Sequence, residues 1–211
     1  MGLFIVLEGV EGSGKTTQAR LLGERLARAG IDHLVTREPG GTEVGEEIRR
    51  ILLHGGEMPA RAELLLLLAA RAVFVEEVVR PALERGAVVV ADRYELSTLA
   101  YQGYGRGLPL DEVRRMNAFA TGGLSPDLTL VLDVPPEIGA ERRAREGRNA
   151  DRIEQAGAEF HAQVARAYRL LAETEPRVMR IDGARSPEAV HAEIVDLLRS
   201  RFPETLPFGG G

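Results

Sequence analysis

Short apolar runs alternate with longer amphipathic stretches along the whole chain. The apolar runs predict five buried strands, at 3–7, 33–36, 87–91, 128–133 and 178–182. The stretches between them have helical periodicity and predict helices at 15–29, 43–53, 60–80, 110–120, 136–146, 153–173 and 186–201. Runs as continuous as Ala87 to Ala91 are typical of parallel strands that are covered on both faces. The alternation predicts an α/β fold, a three-layer sandwich in which a five-stranded parallel sheet is flanked by helices.

Polar residues follow directly after the predicted strands, at the edge of the sheet where ligands bind in folds of this type. They are Glu8, Arg37, Glu38, Asp92, Arg93, Tyr94, Asp133 and Asp182. Because parallel strands end at one edge of the sheet, we expect these residues to matter most for function.

The segment after the first predicted strand reads Gly9-Val-Glu-Gly-Ser-Gly-Lys15-Thr16-Thr17 and matches the phosphate-loop pattern completely. It joins a strand to a helix, so its backbone N–H groups and the helix dipole would face one bound anion. Lys15 can reach the outer phosphates of a nucleoside triphosphate, and Thr16 can ligate Mg²⁺. An ordinary glycine-rich turn is the alternative, which the complete motif between a strand and a helix disfavours. The segment therefore predicts binding of a nucleoside triphosphate.

Arginines and an acid follow in the next two segments. Arg37 and Glu38 end the second strand, and we favour a role at the site over a plain surface turn. Arg49 and Arg50 lie on the helix that follows, where one of them could reach a phosphate, although a solvated side chain is the default for either. Arg71 lies among apolar residues of the helix predicted at 60–80, where an arginine typically has an anion or a carboxylate as partner.

The segment that starts at Asp92 mixes charged, aromatic and glycine residues. Asp92 is placed to hold Mg²⁺ through water, as in other phosphate-loop proteins. Arg93, the next residue, suits a site that binds the phosphates of two different molecules. Tyr101 and Gln102 have the chemistry to read a nucleobase and a sugar by stacking and paired hydrogen bonds. A connecting loop is the alternative interpretation of this stretch.

Five arginines lie between Glu141 and Glu154, where Gly147 and Asn149 interrupt the helical pattern. Such a charge run is commonly a solvated helix end. It also suits a mobile lid that brings arginine over transferring phosphates and excludes water. The two interrupting residues favour the lid, which we predict at about 142–154.

Composition limits the class of protein and its partners. With 211 residues, the chain predicts one domain at 1–202, followed by a flexible tail at 203–211. A net charge of -5 argues against nucleic acid as the main partner, and the absence of cysteine excludes disulfides and a thiolate nucleophile. The most apolar stretch, 64–75, is interrupted by Arg71 and is too short to cross a membrane. No signal peptide is visible, so we expect a cytoplasmic protein.

Several of these segments, in their order and spacing, resemble bacterial thymidylate kinase, a family of nucleoside monophosphate kinases. The segments are 7–17, 36–42, 92–94, 100–103, 126–129 and 151–154. Many families share the phosphate loop, whereas Arg-Glu-Pro-Gly-Gly-Thr and Asp-Arg-Ile-Glu are far more specific. The resemblance implies a P-loop NTPase sandwich with a mobile lid, and transfer of the γ-phosphoryl group of ATP, carried with Mg²⁺, to dTMP. It also implies a homodimer, with no nucleic-acid or membrane partner.

The resemblance further implies roles for individual residues. Catalysis is implied for Lys15, Arg93 and Arg152, the last carried by the lid. ATP binding is implied for Gly9, Val10, Glu11, Gly12, Ser13, Gly14, Lys15, Thr16, Thr17 and Arg142, with the arginine on adenine. Binding of dTMP is implied for Glu11, Glu38, Arg49, Leu67, Arg71, Arg93, Ser97, Tyr101 and Gln102, and Mg²⁺ binding for Thr16 and Asp92. Within that set, Arg49 and Arg93 would bind the monophosphate, and Arg71 and Gln102 would bind thymine. Glu11 would bind the 3′-hydroxyl, and Tyr101 would pack beside the deoxyribose.

One position departs from the family pattern. The family usually has a phenylalanine stacked on thymine where this chain has Leu67. Phe74 lies on the same helical face but roughly 10 Å further along, so it is a poor substitute. Either Leu67 covers the base with aliphatic surface or another ring takes that place. Loss of the stacking would weaken dTMP binding by about 1 kcal/mol.

Three other functions stay open from the sequence. A GTPase-like switch is disfavoured because the chain has no Asn-Lys-x-Asp segment to read guanine. An ATPase that acts on a partner protein is disfavoured by Arg93 after Asp92 and by the base-reading chemistry around Tyr101. A kinase for another small acceptor is excluded least firmly, because of Leu67.

Overall fold

The structure, a computed structural model, describes residues 2–146 and 151–207, and its strands form one five-stranded sheet. The strands are β1 (Leu3–Glu8), β2 (His33–Arg37), β3 (Val88–Asp92), β4 (Leu128–Asp133) and β5 (Val178–Asp182). Their order across the sheet is β2-β3-β1-β4-β5, and each neighbouring pair runs parallel. The predicted strands and the parallel sheet are confirmed.

Helices connect the strands. They are α1 (Lys15–Arg28), α2 (Glu43–His54), α3 (Ala60–Phe74), α4 (Arg80–Glu84), α5 (Glu95–Thr98), α6 (Leu110–Thr121), α7 (Pro136–Glu146), α8 (Ala158–Thr174) and α9 (Pro187–Arg201). A π-helical segment, Val75–Val79, joins α3 to α4 just before Pro81. Proline lacks an N–H and its ring conflicts with the carbonyl four residues back, so the turn before it widens. The helix predicted at 60–80 is thereby continued to Glu84.

Two helix predictions need correction. The helix predicted at 153–173 begins only at Ala158. The Asp151 carboxylate accepts the N–H groups of Ile153 and Glu154, both at 2.9 Å, and so closes a separate turn before the helix. The segment after β3, for which the sequence predicts no helix, is helical in α5 and in the π-helical segment Leu99–Gly105.

Both faces of the sheet are buried, as β1 illustrates. Leu3, Ile5 and Leu7 point into a cluster with α1 and α9, while Phe4 and Val6 point into a cluster with α3 and α4. A third cluster packs α8 against β4 and the segment Leu99–Gly105. The three-layer sandwich is therefore confirmed, and its core holds the strand ends in fixed positions.

The predicted lid and the predicted tail lie only partly within the described residues. Residues 147–150 of the lid and 208–211 of the tail lie outside the described residues. Leu206, inside the predicted tail, is fully buried in the core cluster that contains α1 and α9. In the ranges 2–146 and 151–207, no helix combines the length and apolarity needed to span a membrane.

Candidate active site

A cavity of about 720 Å³ lies where β1, β2 and β3 end. The predicted site residues on its wall are Glu11, Gly12, Ser13, Gly14, Lys15, Thr16, Thr17, Glu38, Arg49, Leu67, Arg71, Asp92, Arg93, Ser97, Tyr101, Gln102 and Arg142. Gly9, Val10 and Arg152 are not among the described residues that line it. The strand ends converge because their registers match, with Leu7 of β1 and Arg37 of β2 both opposite Asp92 of β3.

The phosphate loop depends on close backbone approaches. Gly12 has φ +74°, and a Cβ there would lie 2.3 Å from the carbonyl oxygen of Gly139 in α7. Gly9 has φ +138°, and its Cβ would lie 2.6 Å from the Leu132 carbonyl oxygen. Glycine is required at both positions for steric and conformational reasons. The N-cap of α1 is Gly14, which has no side-chain acceptor, so the first N–H groups of α1 are available to an anion.

Lys15 is folded over its own loop. Its Nζ donates to the carbonyl oxygens of Gly9 (3.0 Å) and Val10 (2.8 Å) and to Ser13 Oγ (3.3 Å). Gly9 and Val10 thus contact the site through this ammonium rather than through the cavity wall. Burial, together with the charge on Arg93, lowers the pKa of Lys15 to about 8. An anion placed beside Lys15 would favour its charged form and raise that pKa again.

The two predicted Mg²⁺ residues meet beside the loop. Thr16 Oγ1 donates to Asp92 Oδ2 at 2.7 Å. Mg²⁺ prefers oxygen ligands and is usually held by one or two protein groups, several waters and substrate phosphates. A hydroxyl and a carboxylate next to a phosphate loop fit that chemistry.

Arg93 joins the phosphate loop to the opposite wall. Its guanidinium donates to Glu11 Oε1 (2.9 Å), Ser97 Oγ (3.0 Å) and the hydroxyls of Tyr168 (3.1 Å) and Tyr101 (3.3 Å). Its φ of +76° is the only positive value of a non-glycine residue in the described ranges. Burial alone would lower the pKa of Arg93, but the nearby tyrosines and carboxylates hold it well above its usual value. A fixed cation therefore faces the cavity.

Glu11 and Tyr101 hold each other beside that cation. The Tyr101 hydroxyl donates to both oxygens of the Glu11 carboxylate, at 2.7 Å and 2.8 Å. Burial would raise the pKa of Glu11, but Arg93 and Lys15 hold it below its usual range. The carboxylate is therefore ionised at neutral pH and acts as an acceptor for hydroxyl groups.

Glu8 and Tyr168 support this arrangement. Glu8 is among the polar residues that the sequence places at this edge of the sheet, whereas the sequence gives Tyr168 no role. The buried Glu8 carboxylate accepts from Tyr94 N (2.9 Å), from Ser97 N (3.0 Å) and Oγ (2.6 Å), and from the Tyr168 hydroxyl (2.8 Å). These bonds fix the turn on both sides of Arg93. Glu8 can be suspected because it ends β1, whereas Tyr168 lies in an ordinary amphipathic helix and shows no signal in the sequence.

Arg71 has the carboxylate partner that its apolar surroundings predict. Its Nε and Nη2 lie 2.8 Å and 2.7 Å from Glu38 Oε2. Its remaining N–H groups donate to Thr98 Oγ1 (2.7 Å), Asn117 Oδ1 and the Tyr94 carbonyl oxygen (2.9 Å). Burial raises the pKa of Glu38 to about 7 while Arg71 opposes that rise. All donors of Arg71 are engaged, so its contact with thymine stays a prediction.

The wall beside Arg71 is aliphatic. Leu67 lines the cavity together with Leu52, Leu53 and Ile153. Phe74 is fully buried in the core. Among the described residues, Tyr101 supplies the aromatic ring of the cavity wall. Of the two alternatives for the base, the structure favours aliphatic cover.

Arg152 lies behind this wall. Its backbone N and its Nε donate to the carbonyl oxygens of Leu53 (3.0 Å) and Leu52 (2.8 Å) at the end of α2. Its Nη1 lies 2.7 Å from Glu63 Oε2 on α3. The catalytic role predicted for Arg152 stays a prediction, because this guanidinium is anchored to α2 and α3.

The opposite end of the cavity is formed by Arg142 and the loop after β5. Arg142 Nη1 donates to the Gly183 carbonyl oxygen at 3.0 Å and contacts the Gly12 carbonyl oxygen at 3.4 Å. Gly183, Arg185 and Pro187 also line the cavity, although no sequence motif points to them. Their position after β5, at the ligand-binding edge of the sheet, is the signal that could have identified them.

The chain is similar to known proteins over nearly its full length. The thymidylate kinase family model matches residues 7–194. A thymidylate kinase of Synechococcus sp. (strain JA-3-3Ab) is 51% identical over 206 residues, which are 97% of this chain and 99% of the relative. That of Pelotomaculum thermopropionicum is 51% identical over 197 residues, covering 92% of this chain and 91% of the relative. The crystal structure of thymidylate kinase from Ehrlichia chaffeensis superposes with a TM-score of 0.77 at 31% identity, covering 93% of this chain and 98% of that one.

Proposed function

This chain belongs to the thymidylate kinase family, and from that premise we propose that it transfers the γ-phosphoryl group of ATP to dTMP, giving ADP and dTDP. One observation supports the proposal most directly. A single cavity is lined by the phosphate loop, by several arginines, and by polar side chains such as Gln102 next to the aliphatic wall around Leu67. Two nucleotides bound end to end need that combination, because their phosphates must meet while their bases stay apart.

The phosphate loop and Lys15 would hold the phosphates of ATP. Lys15 would exchange its contacts with loop carbonyls for contacts with phosphate oxygens, which raises its pKa and keeps it charged. Thr16 and Asp92 would hold Mg²⁺, which supplies positive charge to the β- and γ-phosphate oxygens. Arg142 and the loop around Gly183 would face the adenosine end.

The acceptor phosphate would lie between Arg49 and Arg93. Its attacking oxygen is already an anion, so the reaction needs positioning and neutralised charge more than a general base. Arg93 is fixed by four side chains and needs little rearrangement to bind the phosphate. Arg152 would act from the segment that closes over the site, by excluding water and adding charge.

The remaining groups would hold the nucleoside part of dTMP. Glu11 accepts a hydrogen bond from the sugar hydroxyl, and Tyr101 packs beside the deoxyribose. Leu67 and the neighbouring leucines of α2 cover the base, whose polar edge faces Gln102 and Arg71. The aliphatic cover replaces ring stacking, so dTMP is bound without a stacked phenylalanine.

We also propose a homodimer. Phe119 on α6 is 89% exposed and Leu65 on α3 is 56% exposed, and a dimer that packs α3 and α6 against a second copy would cover both side chains. Sedimentation of the wild type as a dimer, and of a Phe119→Asp variant as a monomer, is the expected result. A wild-type monomer at micromolar concentration would reject this part of the proposal.

Product analysis tests the proposed reaction. The protein is incubated with ATP, Mg²⁺ and dTMP, and the nucleotides are separated by anion-exchange chromatography. Equal amounts of ADP and dTDP are expected, because the closed site passes the phosphoryl group to dTMP rather than to water. ADP without dTDP would identify an ATPase and overturn the proposal.

A further inference from the structure

Glu63, on α3 behind the cavity wall, binds three different side chains with one buried carboxylate. Its Oε1 accepts from Gln102 Nε2 at 2.7 Å and from Arg106 Nε at 3.3 Å. Its Oε2 lies 3.2 Å from Arg106 Nη2 and 2.7 Å from Arg152 Nη1. The side chain is only 1% exposed. None of the roles given above to the site residues accounts for this carboxylate.

Because Glu63 is charged, it acts only as a hydrogen-bond acceptor in these contacts. Burial would raise the pKa of Glu63, but the hydrogen bonds from Gln102, Arg106 and Arg152 hold it below its usual value. The ionised carboxylate can only accept hydrogen bonds. The amide of Gln102 must therefore turn its nitrogen toward Glu63. Gln102 also lines the cavity, and with Nε2 held by Glu63 the acceptor that its amide can offer there is Oε1.

We propose that Glu63 is a positioning residue for base selection: its carboxylate fixes the Gln102 amide with Oε1 toward the base, so that the site accepts pyrimidines with a proton on N3. The inference rests on the proposed function, since it concerns the base of the phosphate acceptor. Thymine and uracil donate from N3, whereas N3 of cytosine is an acceptor and would oppose Oε1. A Gln102 amide that could rotate by 180° would be able to pair with thymine through its oxygen or with cytosine through its nitrogen.

Arg152 connects this selection to closure of the site. Its guanidinium reaches Glu63 only because the turn at 151–154 lies against the last residues of α2, through Leu52 and Leu53. When that turn packs against α2, it places Arg152 beside Glu63, where Arg152 and Arg106 together keep the Glu63 carboxylate ionised. Gln102 is held most firmly when the segment that carries Arg152 is in place.

The test compares base selectivity in the wild type and in Glu63→Gln. Values of kcat/KM are measured for dTMP, dUMP and dCMP, and dCMP is also measured as an inhibitor competing with dTMP. In the variant, the ratio of kcat/KM for dTMP to kcat/KM for dCMP is expected to fall at least about tenfold, mainly through a change in KM. A buried polar group without its hydrogen-bond partner typically costs enough free energy to change affinity by that factor. The dTMP:dUMP ratio should change by less than about twofold, because these bases share the N3 proton. Ratios do not depend on the fraction of active protein.

A merely structural role would give a different result. If Glu63→Gln lowers kcat/KM for all three nucleotides in parallel, or leaves both ratios unchanged, the inference is overturned while dTMP kinase activity of the wild type still supports the proposed function. A wild type that does not phosphorylate dTMP would overturn both.

Two further variants sharpen the comparison. The exchange Glu63→Gln with Gln102→Glu again offers the base an acceptor oxygen, now from a carboxylate instead of an amide, so most of the lost dTMP:dCMP ratio should return. Arg106→Gln leaves the bond between Glu63 and Gln102 in place and should keep the ratio. If Glu63→Gln does not fold, Glu63→Asp retains the charge at shorter reach, and a smaller loss in the same direction is expected. An unchanged ratio in Glu63→Asp and no recovery in the exchange would reject the inference.

Discussion

Lys15 should take up a proton when the phosphates of ATP bind, and the structure sets the size of the effect. Burial and Arg93 lower its pKa to about 8 in the free protein. At pH 8 about half of the molecules then carry a neutral Lys15, and at pH 7 about one in ten. Phosphate oxygens beside Nζ favour the charged form, so binding raises this pKa. Uptake of about 0.5 proton per ATP is expected at pH 8 and about 0.1 at pH 7.

The sign of the pH dependence follows from the direction of that change. Because the bound form has the higher pKa, ATP binding weakens as pH rises through 8, by up to about tenfold per pH unit, until the pKa of the bound form is reached. Below pH 7 Lys15 is charged in both forms and contributes no pH dependence.

The assay is unusually direct because Lys15 is the only lysine in the sequence. In protein made with ¹³C-labelled lysine, the Cε resonance titrates with a single side chain. We expect an apparent pKa near 8 for the free protein and a higher value with a non-hydrolysable ATP analogue and Mg²⁺. Calorimetry in two buffers, with Lys15→Met as the matched control, measures the proton uptake itself. A free-protein pKa near 10.5, or equal uptake in both proteins, would refute the reasoning.

Three substitutions test other parts of the account. Glu38→Ala leaves the buried guanidinium of Arg71 without its carboxylate and should cost about 3–5 kcal/mol in urea unfolding, so a loss below about 1 kcal/mol would contradict the pairing. Gly139→Ala puts a Cβ 2.6 Å from a phosphate-loop carbonyl oxygen and should lower kcat/KM for ATP at least about tenfold, whereas Gly56→Ala, which meets no atom within 4 Å, should not. Arg152→Ala should lower kcat at least about tenfold through lost charge and lost closure, and a near-wild-type rate would remove it from the mechanism.

The sheet and the phosphate loop could be predicted because their signals are local. Each strand is a short apolar run, and the loop is a contiguous motif between a strand and a helix. The convergence of strand ends then follows from parallel pairing, since Leu7 and Asp92 are register partners. Whatever lies directly after β1, β2 and β3 is placed at the site by this geometry alone.

The parts that could not be predicted depend on contacts between distant segments. Glu8 is bound by Tyr168, which is 160 residues away in the sequence, and no local pattern links them. Gln102 is bound by Glu63, which lies on a helix face that otherwise reads as core packing. Leu206 belongs to the core although it lies in a segment that the sequence predicts as a flexible tail. In each case, the partner is set by how helices pack on the finished sheet.

ADP release across a panel of acceptors shows directly whether this site selects dTMP as the acceptor of the phosphoryl group. With ATP and Mg²⁺, the panel contains dTMP, dUMP, dCMP, dGMP, dAMP and UMP. We expect the highest kcat/KM for dTMP, with an aliphatic cover at Leu67 in place of the usual ring. A higher kcat/KM for another nucleotide, or ADP release that is the same with every acceptor, would contradict it.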